Sequence, residues 1–300
     1  MVDKLANKVG ERIWRMILFS GIKYSHPVIY TNLVSKPLAR FYPLNQPPIL
    51  LLSYPRCGSS WIGKILSYSP DLIYLREPVN QEFQHKFSDW AVIDPYRDHL
   101  TRKWYLQFAD CAFSGIPSKY TYDMAGKISD FMPHNREGKT LLIKEVNPLA
   151  AKLFVDHFRP KIVYILRHPA GVADSFYRMG WLGDNFEQFG YNYGKIQSEA
   201  TNAIENAKSM IIKFEQLAQH PNEQFIRLYS LLGIKQPENL DKIVNKYSRG
   251  EFAGDDPHEI VRDSRSQIYK WRQNLKQDQI DAVMHGYERS GSNNIYPYER

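Results

Sequence analysis

Two consecutive serines, Ser59 and Ser60, follow Arg56 and Gly58 in the segment PRCGSSW. Serine hydroxyls and the unpaired backbone N–H groups at the start of a helix donate hydrogen bonds to anions, and the helix N-terminus carries partial positive charge. An arginine adds a full charge and a planar set of donors that suits phosphate or sulfate oxygens. These residue types at this spacing therefore predict a site for a phosphate-like group.

The residues on either side of this segment predict the elements that would hold it. Residues 49–53 form an apolar run, which is typical of a strand buried on both faces. Beyond Gly58, apolar side chains recur at helical spacing over residues 61–66, which predicts a helix that starts at the serines. The nucleotide P-loop pattern is not matched, because no lysine stands directly before the serines.

Arg167 and Ser175, eight residues apart in the segment RHPAGVADS, form a second candidate site. Residues 161–166 predict a strand and residues 170–178 a helix, so the arginine ends a strand and the serine lies inside the next helix. Ligands of parallel sheets bind beyond the carboxyl ends of the strands. Both side chains are therefore candidates to bind one phosphate.

Both segments resemble motifs of the sulfotransferases that use 3′-phosphoadenosine 5′-phosphosulfate (PAPS). PRCGSSW resembles the 5′-phosphosulfate loop and RHPAGVADS the 3′-phosphate motif. The similarity continues at residues 211–217 (IIKFEQL) and 269–272 (YKWR), the latter similar to bacterial members, so it covers about residues 49–287. YLREP, residues 74–78, is most similar to the carbohydrate and tyrosyl-protein branches. The resemblance implies PAPS as the sulfuryl donor.

The resemblance also implies contacts with each part of PAPS. The implied ligands of the 5′-phosphosulfate are Arg56, Cys57, Gly58, Ser59 and Ser60. Those of the 3′-phosphate are Arg167 and Ser175. Trp61 would stack on the adenine, with packing in the core as its alternative, and Phe214 stands where many members have a tyrosine near the adenine. The region that closes over the cofactor holds Ser264, Arg265 and Arg272, and the sequence leaves the choice among them open.

The chemistry of sulfuryl transfer suggests a role for three charged residues. Negative charge grows on the bridging oxygen of the departing nucleotide, and Arg56 is expected to stabilise that charge electrostatically. The acceptor hydroxyl needs a base, but residues 144–148 (KEVNP) lack the histidine that many members carry there. Glu77 is the first candidate and Glu145 the second. A structural ion pair with a nearby Arg or Lys is the alternative for each.

Apolar runs alternate with amphipathic stretches along the chain, which predicts an α/β fold with a mainly parallel central sheet flanked by helices. The predicted strands are residues 49–53, 72–75, 140–144, 161–166 and 209–214. The predicted helices include residues 149–158, 170–178, 200–208, 222–232 and 278–289. We expect a single domain over residues 1–300, with an N-terminal extension (1–48) and a helical insertion on the acceptor side (80–138). Residues 179–194, rich in glycine and aromatics, are predicted to be a substrate loop.

Composition narrows the class of protein. With 43% hydrophobic and 24% charged residues in 300, the chain is globular and not disordered. Two cysteines give no disulfide framework, and Cys57 is not expected to be a nucleophile, because a phosphatase-type loop has its arginine after the cysteine. The histidines show no metal-ligand spacing, so no metal is expected. The net charge of +7 suits an anionic ligand without identifying one.

The N-terminal residues bear on location and partners. Residues 13–22 predict a short amphipathic helix, too short to span a bilayer, which docks on the protein or makes a peripheral membrane contact. We expect a cytoplasmic protein whose partner is a hydroxyl-bearing acceptor, with no nucleic acid. The sequence leaves the oligomeric state open.

These observations predict a PAPS-dependent sulfotransferase that acts on a hydroxyl acceptor, in the first place a carbohydrate. One alternative is an ATP-dependent phosphotransferase of the P-loop type, which the missing lysine disfavours. The other is a non-enzymatic module that binds anionic glycans or nucleic acid through charge and aromatic side chains.

Overall fold

A central sheet confirms the predicted α/β class. The computed structural model describes residues 16, 29, 32–33, 36–115, 135–249, 263–292 and 295–297. The strands within these residues are β1 (Asn45–Ser53), β2 (Leu72–Arg76), β3 (Thr140–Glu145), β4 (Lys161–Leu166) and β5 (Ser209–Lys213). They form one parallel sheet in the order β2-β3-β1-β4-β5.

Helices occupy most of the chain between the strands. Those of the described residues are α1 (Lys36–Phe41), α2 (Ser59–Leu66), α3 (Pro78–Phe87), α4 (His99–Phe113), α5 (Ala151–Phe158), α6 (Pro169–Arg178), α7 (Phe186–Ile204), α8 (Phe214–Gln219), α9 (Pro221–Leu232), α10 (Leu240–Ser248), α11 (Trp271–Asn274) and α12 (Gln277–Arg289). A short 3₁₀ helix, Pro148–Ala150, precedes α5. Among the described residues, no helix combines the length and the apolar character needed to cross a bilayer.

The described residues divide into two compact units. The first unit holds those before residue 52 together with those of 71–162, and the second unit holds 52–70 together with those from residue 163 onward. The predicted single domain over residues 1–300 stays a prediction. The predicted N-terminal helix, residues 13–22, and residues 116–134 of the predicted insertion lie outside the described residues.

In the first unit, the pairing of β2 with β3 positions the candidate bases. The two strands run parallel, with Leu72 paired to Thr140 and Arg76 paired to Lys144. The register therefore brings the carboxyl ends of both strands together. Glu77 follows β2 directly and Glu145 ends β3, so both candidate bases lie at this edge.

In the second unit, α7 and α12 pack closely, and this overturns the predicted substrate loop. Residues 179–185 join α6 to α7, but residues 186–194 are helical. A Cβ atom on Gly190 would lie 2.0 Å from the carbonyl oxygen of Val283, and one on Gly194 would lie 1.9 Å from Ser290 Oγ. These glycines permit the close approach of two helices, whereas the sequence pattern alone suggested a loop.

Several element boundaries also differ from the predictions. The first strand starts at Asn45 and not at residue 49, β5 ends at Lys213, and Phe214 begins α8. The helix predicted at 200–208 is the end of α7, which stops at Ile204. Strand β4 matches its predicted bounds, and α6 and α9 each begin one residue earlier than predicted.

Candidate active site

The turn between β1 and α2 has the geometry predicted for an anion-binding loop. Gly58 has φ of 89°, in the left-handed region, and helix α2 begins at Ser59. The Ser53 hydroxyl donates to Ser59 Oγ over 2.7 Å, and both side chains are buried. Ser60 is half-buried. The hydroxyl of Ser60 is therefore the more accessible of the two serine donors at the start of α2.

Position 58 requires glycine because its φ is positive and because the Phe214 ring lies close to it. A Cβ atom there would lie 2.5 Å from Cδ2 of Phe214. We expect Gly58→Ala to lower the free energy of unfolding by about 1–3 kcal/mol, because alanine at this φ is strained and its methyl group displaces the ring. Urea unfolding measures the difference.

The matched control is Gly180→Ala. Gly180 also has positive φ, at 68°, but a Cβ atom there would have nothing within 4 Å. An equal loss of stability in both variants would mean that the contact with Phe214 does not contribute.

Arg56 joins the two predicted phosphate motifs. Its backbone has φ of 69°, and its side chain donates from Nε to Ser175 Oγ over 2.9 Å. Its carbonyl oxygen accepts from Nη1 of Arg167 over 2.9 Å. The turn after β1 and the turn after β4 therefore touch through Arg56, Arg167 and Ser175.

Arg167 is held by three further contacts in the second unit. Its Nη2 donates to the carbonyl oxygen of Gln267 over 3.1 Å, and its guanidinium lies 4.7 Å from the centre of the Phe214 ring. Its own carbonyl oxygen accepts from the hydroxyl of Tyr193 over 2.8 Å. Sequence reasoning missed Gln267 and Tyr193, because neither stands in a recognisable motif.

Trp61 and Phe214 pack against each other next to the turn. The two rings meet edge to face, with centroids 5.9 Å apart at 72°, and Trp61 meets Phe225 similarly at 5.3 Å and 85°. Only 7% of Trp61 is exposed, and its Nε1 has no hydrogen-bond partner among the described residues. These contacts fit the core-packing alternative for Trp61, and adenine stacking stays a proposal.

Cys57 is a buried thiol. It is fully buried, and its Sγ lies 3.6 Å from the hydroxyl oxygen of Tyr193. Burial raises the pKa of Cys57 to about 12. Because the thiolate is the reactive form, this environment disfavours a nucleophilic role, in agreement with the sequence reasoning.

The three C-terminal candidates for contact with the cofactor take different positions. The Ser264 hydroxyl and the Arg265 side chain donate to the carbonyl oxygens of Ala218 and Gln219, over 3.3 and 3.0 Å. The Arg272 guanidinium lies 5.1 Å from the ring centre of its neighbour Trp271.

Trp271 connects this segment to the Arg167 turn. Its ring stacks on His168, with centroids 4.6 Å apart and planes 5° from parallel. Burial, with the charges of Arg272 and Arg167, lowers the pKa of His168 to about 4. Of the two C-terminal arginines, Arg272 is therefore the one whose charge acts on the Arg167 turn.

In the first unit, Glu77 is paired with a lysine that the sequence reasoning did not identify. Glu77 has φ of 54° and is the N-cap of α3. Its carboxylate forms an ion pair with Lys144 and lies 3.9 Å from Nε of Arg76. Burial lowers the pKa of Lys144, although Glu77 opposes that shift. The ion pair foreseen as the alternative for Glu77 is therefore present.

Glu145 is fully buried and contacts backbone. Its Oε1 accepts from the backbone N–H of Val79 over 2.7 Å, while its Oε2 is buried without a hydrogen-bond partner in the described part of the chain. Burial raises the pKa of Glu145 to about 8. Separately, the described residues contain no group of three or more His, Cys, Asp or Glu side chains placed to hold a metal ion.

Comparisons with known proteins agree with these motifs. Carbohydrate sulfotransferase 1 of Danio rerio is 22% identical over an alignment of 310 positions, which covers 78% of this chain and 74% of that protein. The human carbohydrate sulfotransferase 1 is 24% identical over an alignment of 162 positions, which covers 47% of this chain and only 39% of the human protein. The chain therefore matches well under half of the human relative's length.

The chain also matches a solved sulfotransferase structure in fold and a protein family in sequence. A solved sulfotransferase domain from the curacin biosynthetic pathway is 17% identical, with a TM-score of 0.52, and the match covers 85% of this chain and all of that one, so the two are similar in fold. Residues 46–294 match the model of the sulfotransferase domain family. Since that match spans most of the chain, the chain belongs to the sulfotransferase domain family, the PAPS-dependent sulfotransferases that its two arginine turns resemble.

Proposed function

We propose that this chain transfers a sulfuryl group from PAPS to a hydroxyl group of a carbohydrate by in-line displacement. The contact between the two turns carries the proposal. Arg56 donates to Ser175, and Arg167 donates to the carbonyl oxygen of Arg56, each over 2.9 Å. One nucleotide can therefore present its 5′-phosphosulfate to the turn after β1 and its 3′-phosphate to Arg167 and Ser175.

The proposed role of Arg56 is electrostatic. During transfer, the bond from sulfur to the bridging oxygen breaks, and that oxygen keeps the electron pair and gains negative charge. A guanidinium stays protonated at neutral pH, so Arg56 stabilises this charge without giving up its proton. The backbone of Cys57 and Gly58, with Ser59 and Ser60, binds the oxygens of the 5′-phosphosulfate in this proposal.

Of the C-terminal basic residues, we assign the cofactor contact to Arg272. Its neighbour Trp271 stacks on His168, the residue after Arg167. Arg265 and Ser264 are instead bonded to carbonyl oxygens at the end of α8. Phe214 lies against the Arg167 guanidinium and Trp61, which supports a place beside the adenine for this pair.

The proposed base is Glu77. It takes the proton of the acceptor hydroxyl as that oxygen attacks sulfur. The resemblance of YLREP to the carbohydrate and tyrosyl-protein branches supports this role. A base must also come within reach of the acceptor, and 18% of the Glu77 side chain is exposed.

A carbohydrate acceptor is supported by the relatives named carbohydrate sulfotransferase 1, at 22% and 24% identity. The cytoplasmic location, the peripheral membrane contact and the absence of a metal and of nucleic acid stay predictions.

Transfer from ³⁵S-labelled PAPS to a panel of mono- and oligosaccharides tests the proposal directly. Labelled saccharide is the expected result. Label that appears only on steroid, phenol or tyrosyl-peptide acceptors would overturn the carbohydrate assignment, and no label on any acceptor would overturn sulfuryl transfer. A parallel assay with ATP and Mg²⁺ tests the phosphotransferase alternative.

Nucleotide binding to Ser175→Ala tests the two-turn arrangement without catalysis. We expect the affinity for the desulfated product, 3′-phosphoadenosine 5′-phosphate (PAP), to fall by about 10- to 150-fold, because a hydrogen bond to a charged group contributes about 1.5–3 kcal/mol. The affinity for adenosine 5′-phosphosulfate, which lacks the 3′-phosphate, should stay unchanged. Calorimetry that finds equal losses for both nucleotides would contradict the assignment of Ser175 to the 3′-phosphate.

A further inference from the structure

The start of helix α3 is capped by a residue from a neighbouring strand. The first backbone N–H groups of a helix lack partners inside it, and the N-cap side chain usually accepts from the second or third of them. Here the N-cap is Glu77, and its side chain makes no capping hydrogen bond. It forms an ion pair with Lys144 instead.

Glu145 takes over that capping role. Its Oε1 accepts from the N–H of Val79, the second residue of α3, over 2.7 Å. Since Val79 is two residues from Glu77, the contact holds the helix turn that carries the Glu77 side chain.

The backbone of Glu77 requires such support. Its φ of 54° is in the left-handed region, which is unfavourable for a residue other than glycine and persists only when the surroundings hold it. The N–H of Glu77 donates to the carbonyl oxygen of Lys144 over 2.6 Å. Two consecutive residues of β3, Lys144 and Glu145, therefore fix the backbone on both sides of Pro78 as well as the Glu77 carboxylate.

Burial separates the two candidate bases. Glu145 is 0% exposed, whereas 18% of the Glu77 side chain is exposed. A base must come within hydrogen-bonding distance of the acceptor hydroxyl, directly or through one water. The fully buried Glu145 offers no such approach to an acceptor, whereas the Glu77 side chain is partly exposed.

We propose that Glu145 is a positioning residue, which caps helix α3 from strand β3 and so holds Glu77 in place for proton abstraction. This inference rests on the proposed function for the role of Glu77, but the capping itself is independent of that role. A carboxyl is well suited to the task, because its oxygen reaches an N–H group that the N-cap side chain leaves unpaired.

Two substitutions of similar size test it. Glu145→Gln keeps an acceptor oxygen and removes the ionisable group, and Glu145→Met removes the acceptor while filling the same space. We expect Glu145→Gln to keep kcat within about threefold of wild type with an unchanged pH–rate profile. We expect Glu145→Met to lower kcat by at least about tenfold with PAP affinity unchanged, as a misplaced catalytic group would. Loss of activity in Glu145→Gln as severe as in Glu77→Gln would overturn the proposal.

Amide hydrogen exchange at Val79 supplies a readout that needs no catalysis. The cap predicts faster exchange at this amide in Glu145→Met and near wild-type protection in Glu145→Gln, with distant amides unchanged in both. Unchanged exchange in Glu145→Met would overturn the capping role. If the exchange results are as expected but the wild-type protein transfers no sulfuryl group, the proposed function is wrong, whereas the capping of helix α3 by Glu145 is supported.

Discussion

Replacing Arg56 with alanine is expected to lower kcat by roughly 10²–10³-fold, the loss typical of removing one preorganised donor from a developing negative charge. PAP affinity should fall much less. The carbonyl oxygen of residue 56, which accepts from Arg167, is retained in the variant, and so are Ser175 and the helix start at Ser59. The charge that is lost acts mainly on the bridging oxygen as it departs, so the transition state loses more than the bound ground state. Steady-state kinetics with saturating PAPS, together with calorimetric titration of PAP, separate the two effects.

Arg159→Ala is the matched control for this experiment. Arg159 is another arginine with positive φ, at 47°, at the end of α5, so its replacement removes the same charge from a similar backbone conformation. It should leave kcat unchanged. Arg56→Lys keeps the charge but loses the planar donor set, and an intermediate kcat is expected. Equal losses of kcat and PAP affinity in Arg56→Ala would mean that Arg56 only binds the nucleotide.

The sequence predicted the sheet well because its strands carry strong local signals. The apolar run before Arg167 defines β4 to the residue, and Gly233, at φ of 68°, ends α9 as its position after the helix suggests. The pattern failed where tertiary packing decides the structure. Gly190 and Gly194 suggest a loop by composition, yet they lie in helix α7. Glycine is needed at both positions because α12 packs too closely against them for a side chain.

The candidate site likewise combines contacts that sequence motifs predict with contacts that depend on the pairing of distant strands. Arg56, Arg167 and Ser175 could be brought together from sequence, because each belongs to a motif at a strand end and parallel strands end at one edge. The partner of Glu77 and the role of Glu145 could not, because both depend on the register that pairs Arg76 with Lys144. No local pattern encodes a register between strands more than sixty residues apart, so the identity of the ion-pair partner of Glu77 cannot be predicted from local sequence.

Glu77→Gln is expected to lower kcat by roughly 10²–10⁴-fold, the usual contribution of a general base. The amide keeps the size of the side chain and an oxygen that accepts from Lys144, but it cannot take the proton of the acceptor hydroxyl. PAP affinity should stay close to wild type, since the residues proposed to bind PAP are all in other segments.

Two comparisons make the Glu77 result decisive. Glu187→Gln removes a carboxylate from a different ion pair, with Arg289, and should leave kcat unchanged. Thermal unfolding of Glu77→Gln shows whether the folded state persists, because the replacement leaves the buried Lys144 without its counter-charge. A folded Glu77→Gln variant with wild-type kcat would exclude Glu77 as the base. Glu145 would then not position a catalytic base, although its contact with Val79 would remain.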